Sequence, residues 1–218
     1  MIGSRLVGRV DSLGVDLRDG MNLLSCPLPR ADVIYHLAAQ TSVDASWYDP
    51  VHDADNFKMI VRLVQEYPKA KIIYANSAAA MHPISSPYGF SKWVCAEYLR
   101  TFHQDYVICT FPNIYGEKGG KSVVDIFREN NHVTIFGDGL QTRDFVHVDD
   151  IVDGLIKARY WQRGEYQMGS GIATTVRELA EGKHVAYAPA RKEARESILR
   201  NDTPDWEPKI NVKEYIKS

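Results

Sequence analysis

Two hydrophobic patterns alternate through the first half of the chain, short unbroken apolar runs and apolar positions at helical spacing. "ADVIYHLAAQ" is a run whose β-branched and aromatic residues predict a buried strand. "ADNFKMIVRLVQEYP" sets Phe57, Ile60, Val61 and Val64 at helical spacing and closes on a proline, which predicts a helix. "AKIIYANSAAA" is a second buried strand running into small residues. In "SSPYGFSKWVCAEYLR", Pro87 marks a helix start, and Phe90, Trp93, Val94 and Leu99 form a broad apolar face. "DYVICTFPNIYG" reads as a third strand ending in a turn. Strand, helix, strand, helix, strand is the pattern of a parallel sheet with crossover helices.

After residue 120 the rhythm changes. "KSVVDIFREN" predicts a helix, "VTIFGDGLQTRDFVHVDD" short strands and a loop, and "VDDIVDGLIKARY" another helix that Asp149 and Asp150 begin. "GEYQMGSG" is a strand into a glycine turn, and "TTVRELAEG" a short helix capped by Thr174 or Thr175. The polar tail holds one strand, "HVAYA". No internal repeat interrupts this order.

Composition adds limits. With 44% apolar and 25% charged residues, the 218-residue chain can bury a real core in one large domain, or one domain with a small appendage. A net charge of −2 leaves no basic field for nucleic acid or an anionic membrane, so a phosphorylated ligand would need a few placed arginines. No apolar run approaches a membrane span, and "MIGSRLVGRV" lacks the core of a signal peptide. Cys26, Cys95 and Cys109 have no metal-ligand spacing and read as buried thiols of a cytoplasmic protein. No metal site is expected.

The candidate chemistry sits where the second strand meets the next helix. Ser77 ends the strand "KIIYANS", and Tyr88 and Lys92, four apart, open the helix. Ligands of open parallel sheets bind at the carboxyl ends of strands, so the three groups converge there. An ammonium beside a phenol favours the phenolate, which predicts a tyrosine whose pKa is lowered toward neutrality. The blander readings are a surface helix pair for Tyr88 and Lys92, and a helix cap for Ser77. His36 reads as a core or ribose-proximal histidine, His147 as structural, "GDG" as a turn, and Phe90 and Trp93 as core or dimer-interface residues.

Several segments resemble one family in the right order. "DVIYHLAAQTSV", "YGFSK" with its Tyr-x-x-x-Lys, "PNIYG", "GDGLQTRDFVHVDDI", "YQMGSG" and "DWEPKI" are similar to segments of the extended short-chain dehydrogenase/reductases, specifically the nucleotide-sugar epimerase/dehydratase family that includes UDP-glucose 4-epimerase. The resemblance implies an α/β fold, a reduced doubly wound Rossmann-like parallel sheet lacking the usual first strands, with a small C-terminal α+β substrate-binding region. It implies a cofactor core over 1–118, joined by segments around 134–158 and 165–170, and a mainly substrate-binding region over 119–218. Ser77, Tyr88 and Lys92 take the family's catalytic positions. The cofactor, NAD, would meet Gly3, Asp16, Leu17, Leu37, Ala38, Ala39, Phe111 and the Tyr88–Lys92 pair. Asn113, Phe136, Arg143 and Arg195 would hold a UDP-, dTDP- or GDP-sugar, the arginines at its diphosphate, where a planar guanidinium pairs two oxygens. Dehydratases carry an Asp-Glu pair after the catalytic hydroxyl. Here Ala78 and Ala79 stand in its place, which implies an NAD-dependent epimerase. A homodimer through the helices of residues 52–66 and 87–103 is also implied.

The match departs from the family at the start. It begins at Gly3, the last glycine of a Gly-x-x-Gly-x-x-Gly turn, so the pyrophosphate cradle has no counterpart. This sets NAD binding against the rest of the match. The alternative is a degenerate relative that binds a sugar nucleotide or a protein partner without turnover. Only ten residues separate Ser77 from Tyr88, where the family has a longer substrate loop. Without the first strand, "VIYHLAA" needs a neighbour. "RLVGRV" or "DSLGVDL" is expected beside it in a sheet of about five strands, or a dimer covers that edge.

Overall fold

A computed structural model of the chain describes residues 2–116, 122–191 and 195–218. The expected boundary at 118/119, Lys121 of "KSVVDIFREN" and Lys192–Ala194 of "RKEARES" lie outside the described residues. In chain order the elements are α1 (Ile2–Val7), β1 (Val33–His36), α2 (Val43–Tyr48), α3 (Val51–Glu66), β2 (Lys71–Ser77), α4 (Pro87–Phe102) and β3 (Tyr106–Phe111). There follow β4 (Asn113–Tyr115), α5 (Val123–Glu129), β5 (His132–Phe136), β6 (Thr142–Arg143), β7 (Phe145–His147) and α6 (Val148–Ala158). The chain closes with β8 (Gly164–Gln167), β9 (Thr174–Thr175), α7 (Val176–Leu179), β10 (His184–Ala188), β11 (Glu196–Ser197) and α8 (Val212–Tyr215). Two compact units result, one of residues 3–110 with 155–166, the other of 1–2, 111–154 and 167–218.

The first unit is built on a sheet of order β1-β2-β3-β8, with β1 parallel to β2 from Val33↔Lys71 to His36↔Tyr74. Every residue of β3 is buried, as is β2 from Ile72 to Asn76, so both faces of these central strands are covered. Ile72, Tyr74, Tyr106 and Ile108 share one core with Ile60, Leu63 and Val64 of α3 and Cys95, Ala96 and Leu99 of α4. The α/β class and parallel sheet agree with the sequence pattern.

Two expectations fail in this unit. The sheet has four strands, and among the described residues none pairs with the outer edge of β1. "RLVGRV" is instead the end of α1 and a turn, with Leu6 buried. "DSLGVDL" cannot extend as a strand because the Asp16 side chain caps a single 3-10 turn, Leu17–Asp19, that Gly20 closes in the left-handed region at φ 78°. The strand is not bare, however: Val33, Ile34 and Tyr35 are half-buried and His36 is buried. The coil that follows Gly20 packs Leu23 and Leu28 on the same core as Ile34 of β1. Arg62 of α3 holds that coil, its guanidinium donating to the carbonyls of Leu23 at 2.6 Å and Cys26 at 2.7 Å.

The second correction concerns α4. Phe90 is 52% exposed and Trp93 37%, so neither is a core residue; their rings tilt against each other at 5.9 Å on the outer face. The buried stripe is Tyr88, Ser91, Lys92, Cys95, Ala96 and Leu99.

The second unit is made of short ladders: β5 with β10, β4 with β7, and β6 between β11 and β9. Thr175 caps α7 in a reciprocal capping box with Glu178. Asp149 and Asp150 do begin α6. The Asp150 carboxylate accepts from the Lys209 and Ile210 amides, which fixes the tail containing Trp206. The short helix α8, opened by Asn211 as cap, and the two-residue strand β11 were not legible in the polar tail. Among the described residues no helix is long and apolar enough to cross a membrane. All three cysteines are free thiols, Cys95 and Cys109 buried and Cys26 half-buried.

Candidate active site

The site of the first unit begins where β2 ends. Ser77 is extended, and its Oγ accepts from the Ala79 amide at 3.3 Å, capping the 3-10 turn Ala78–Met81. The Tyr88 phenol lies near this hydroxyl, which acts to lower the phenol's pKa. The capping and the catalytic readings of Ser77 are thus compatible. A second short turn, Pro83–Ser85, leads to Ser86, whose Oγ accepts from the Gly89 amide at 3.0 Å and opens α4. A side chain at position 89 would meet the Ala79 carbonyl oxygen at 2.6 Å, so glycine is what lets the first turn of α4 close against this connection.

Lys92, one turn beyond Tyr88, is 4% exposed. Its Nζ donates to the Ala75 carbonyl at 2.6 Å and lies 4.6 Å from the centre of the Tyr74 ring. Burial holds the ammonium down to about 8. The Tyr88 phenol is pushed up, first by burial and further by the Asp53 charge, against the Ser77 hydroxyl that lowers it. The expected lowering of the phenol by the lysine is therefore not what the structure shows. The ammonium is turned to the strand carbonyl, and desolvation disfavours the charged form of both groups. His36 stacks on its register partner Tyr74 with centroids 5.7 Å apart, and burial, then the Lys92 charge, pulls it down to about 3. It is a neutral core residue rather than a base.

A network that the sequence reading passed over supports this corner. Asn56 of α3 donates to Ser91 Oγ at 3.1 Å, Ser91 donates to the Tyr88 carbonyl at 2.9 Å, and Asn56 Oδ1 accepts from the Gln40 amide at 2.9 Å. The loop after β1 is thereby tied to both helices. The signal was present in "DADN", where Asp53 and Asn56 set two polar residues three apart inside a helical apolar pattern. Asp53 in the same stretch is buried, and neither carboxylate oxygen has a hydrogen-bond partner among the described residues.

The residues assigned to NAD divide by which end of the molecule they would meet. Lys92 gives one of its three protons to Ala75, which leaves donors for ribose hydroxyls. Leu37–Ala39 follow β1, and Phe111 is the buried last residue of β3. Lys92 and Leu37–Ala39, which lie in one unit, fit a nicotinamide riboside. At the other end, Asp16 is held by Arg18 through two bonds, 3.1 and 2.8 Å, and that guanidinium draws its carboxyl down to about 2. Leu17 is 72% exposed, and Gly3 lies in the short helix α1. The donor set thus fits the cofactor at its nicotinamide end, while the carboxylate assigned to the adenosine end already has a partner.

In the second unit, Arg143 of β6 is buried and donates to the carbonyls of Thr142 at 2.8 Å and Arg195 at 3.4 Å. Arg195, just before β11, is exposed and forked on Asp138 at 2.7 and 2.8 Å. Asp138 sits between Gly137 and Gly139, both left-handed (φ 77° and 74°), so "GDG" is the turn the sequence predicted. Arg177 braces this turn by donating to the Asp138 carbonyl at 2.6 Å. Phe136 lies under the Arg191 guanidinium, 3.8 Å from its centroid. Asn113 donates its amide to the Asp144 carbonyl at 3.2 Å. The structure therefore gathers Asn113, Phe136, Arg143 and Arg195 in one unit and Ser77, Tyr88 and Lys92 in the other.

Known proteins match this arrangement. Residues 5–169 match the NAD dependent epimerase/dehydratase family. The chain belongs to that family. Over 232 residues it is 31% identical to the UDP-glucose 4-epimerase of Mycolicibacterium smegmatis, covering 86% of this chain and 74% of that protein. Among solved structures it is similar to the Thermotoga maritima UDP-glucose 4-epimerase with UDP-glucose (30% identity, TM-score 0.75, 85% of this chain and 75% of that one). It is also similar to the Thermus thermophilus UDP-glucose 4-epimerase complexed with NAD (27% identity, TM-score 0.73, 85% and 75%). In an NAD dependent epimerase/dehydratase, Tyr-x-x-x-Lys at the head of the helix after β2 is where the sequence resemblance puts the reaction.

Proposed function

We propose that this family member is an NAD-dependent nucleotide-sugar epimerase. The observation that carries the reading is the placement of Ser77 at the carboxyl end of β2 with the buried Tyr88 and Lys92 at the head of the next helix. When bound, NAD supplies hydride uptake from a sugar carbon and hydride return to the other face. Tyr88 takes the proton of the hydroxyl on that carbon and gives it back, with Ser77 donating to the same oxygen. Lys92 holds the ribose hydroxyls and favours the ionised phenol when its ammonium turns toward Tyr88. Gly3, Asp16, Leu17, Leu37, Ala38, Ala39 and Phe111 complete the cofactor contacts, for which Asp16 has to give up part of its fork to Arg18. Arg143 and Arg195 hold the diphosphate of the sugar nucleotide, and Asn113 and Phe136 its remaining parts. Residues 1–118, with segments around 134–158 and 165–170, form the cofactor core, and 119–218 mainly bind the substrate.

Ala78 and Ala79 favour epimerisation over dehydration, because neither can act as the acid that expels water. The outward Phe90 and Trp93 support a homodimer through α3 and α4.

Calorimetric titration with NAD⁺ and, separately, with UDP-sugars tests the ligands, and interconversion of UDP-glucose and UDP-galactose is a first assay of turnover. Tyr88→Phe is expected to abolish turnover and to leave nucleotide binding within about twofold, as loss of an interaction made in the transition state requires. Turnover that survives the change moves the chemistry to another residue. Sugar-nucleotide binding with no NAD⁺ binding would favour the degenerate alternative instead.

A further inference from the structure

Asp53 is 4% exposed, and its carboxylate oxygens have no hydrogen-bond partner among the described residues. Buried carboxylates are ordinarily paired, because an unpaired charge away from water is strongly disfavoured. The position of this one follows from helix register. The helices α3 and α4 are crossover connections of the same sheet and run in the same direction. The Asn56–Ser91 bond fixes an offset of 35 residues between them. One turn on, Ile60 and Cys95 share the core at the same offset. One turn back, the offset sets Asp53 beside Tyr88.

We propose that Asp53 is a positioning residue for the proton at Tyr88: its buried charge decides when the phenol can ionise. This rests on the reading of Tyr88 as the group that exchanges the proton. The carboxyl is the stronger acid of the two and ionises first, and away from water its charge makes it harder for the phenol to give its proton up. Other charges near Asp53 do not replace this control. His52 and Asp49 lie at the exposed start of α3, where His52 faces Asp49 at 3.4 Å. The helix α2 offers Asp44, exposed in its first turn. On α4, Lys92 is directed to the Ala75 carbonyl. The electrostatics agree with the geometry: burial first raises the Asp53 carboxyl, and the Asp53 charge raises the Tyr88 phenol. The sign for stability follows. A carboxyl raised on folding binds its proton more tightly in the native state, so the native state loses stability as pH rises past the ordinary carboxylate range.

The test uses the full chain with ¹³Cζ-labelled tyrosine, the Tyr88 resonance being the one among 12 tyrosines that Tyr88→Phe removes. Asp53→Asn and Asp53→Leu are both expected to move the Tyr88 titration to lower pH by about one unit. Both should melt no lower than wild type at neutral pH, since an unpaired buried charge is gone. An unchanged Tyr88 titration in either folded variant overturns the proposal. So does loss of folding in both, which would make Asp53 a structural residue. The Tyr88 reading fails by a different result, turnover that survives Tyr88→Phe.

Discussion

The Lys92 ammonium reaches two groups at once, the carbonyl of Ala75 and the ring face of Tyr74, and both lie on β2. Those contacts keep a charge in the core that burial opposes, lowering its pKa from 10.5 to about 8. A lysine lowered on folding holds its proton less tightly in the native state than in the unfolded chain. Its destabilising effect is therefore complete below about pH 8 and fades as pH rises toward 10.5. Lys92→Met removes this dependence. Relative to wild type, the variant should be more favoured at pH 7 than at pH 10 by about 2 kcal/mol, read from urea unfolding at the two values. A constant difference between the two would place the ammonium in water. The Tyr88–Lys92 spacing was legible in the sequence because four residues make one helical turn. The direction of the ammonium was not, since it depends on a carbonyl 17 residues away on a neighbouring strand.

At the scale of elements, α4 shows how a polarity pattern misleads at such a site. Phe90, Trp93, Val94 and Leu99 suggested the inward face, yet only Leu99 is fully buried, and the inward stripe carries Tyr88, Ser91 and Lys92. Polar groups that work on chemistry at a strand end must face the sheet, and the aromatic residues are left outside. The strands β1, β2 and β3 were plain in the sequence because parallel strands covered on both faces are continuous apolar runs. The segment "RLVGRV" was not, because a short apolar run fits a strand or a helical turn equally well. The head of α4 also depends on one small residue. Gly89→Ala puts a methyl against the Ala79 carbonyl and 3.1 Å from Ser86 Oγ, and backbone must move to admit it. A loss of about 2 kcal/mol is expected in thermal or urea unfolding, with turnover falling further than stability as Tyr88 is drawn away from Ser77. Full stability in the alanine variant would mean that the connection is loose.

For the whole molecule, the family fold persists around a four-stranded sheet with β1 at its edge, and the coil before β1 packs on the same core. On α4, Phe90 and Trp93 are exposed side by side and Phe102 is exposed at the last residue, while Trp47 and Tyr48 of α2 and Val51 of α3 are exposed as well. An exposed apolar pair such as Phe90 and Trp93 is the basis on which the homodimer is proposed. The proposed pairing is tested by Phe90→Lys combined with Trp93→Lys. Light scattering should show a dimer for wild type and a monomer for the double variant, with melting temperature kept or lowered only by the loss of pairing. A monomeric wild type at micromolar concentration would remove the pairing. The homodimer, like the roles of Arg143 and Arg195, could be named from the sequence only by resemblance, because neither an outer helix face nor an anion contact has a period of its own.

The guanidinium that clamps the coil beside β1 has a further consequence, in the order of synthesis. Arg62 reaches back 39 residues to Leu23 and 36 to Cys26. Whatever the ribosome has delivered of the coil must therefore wait, without its holder, until α3 has emerged and wound up. The segment made early settles late, and Leu23 and Leu28 have no finished core to pack on for that interval.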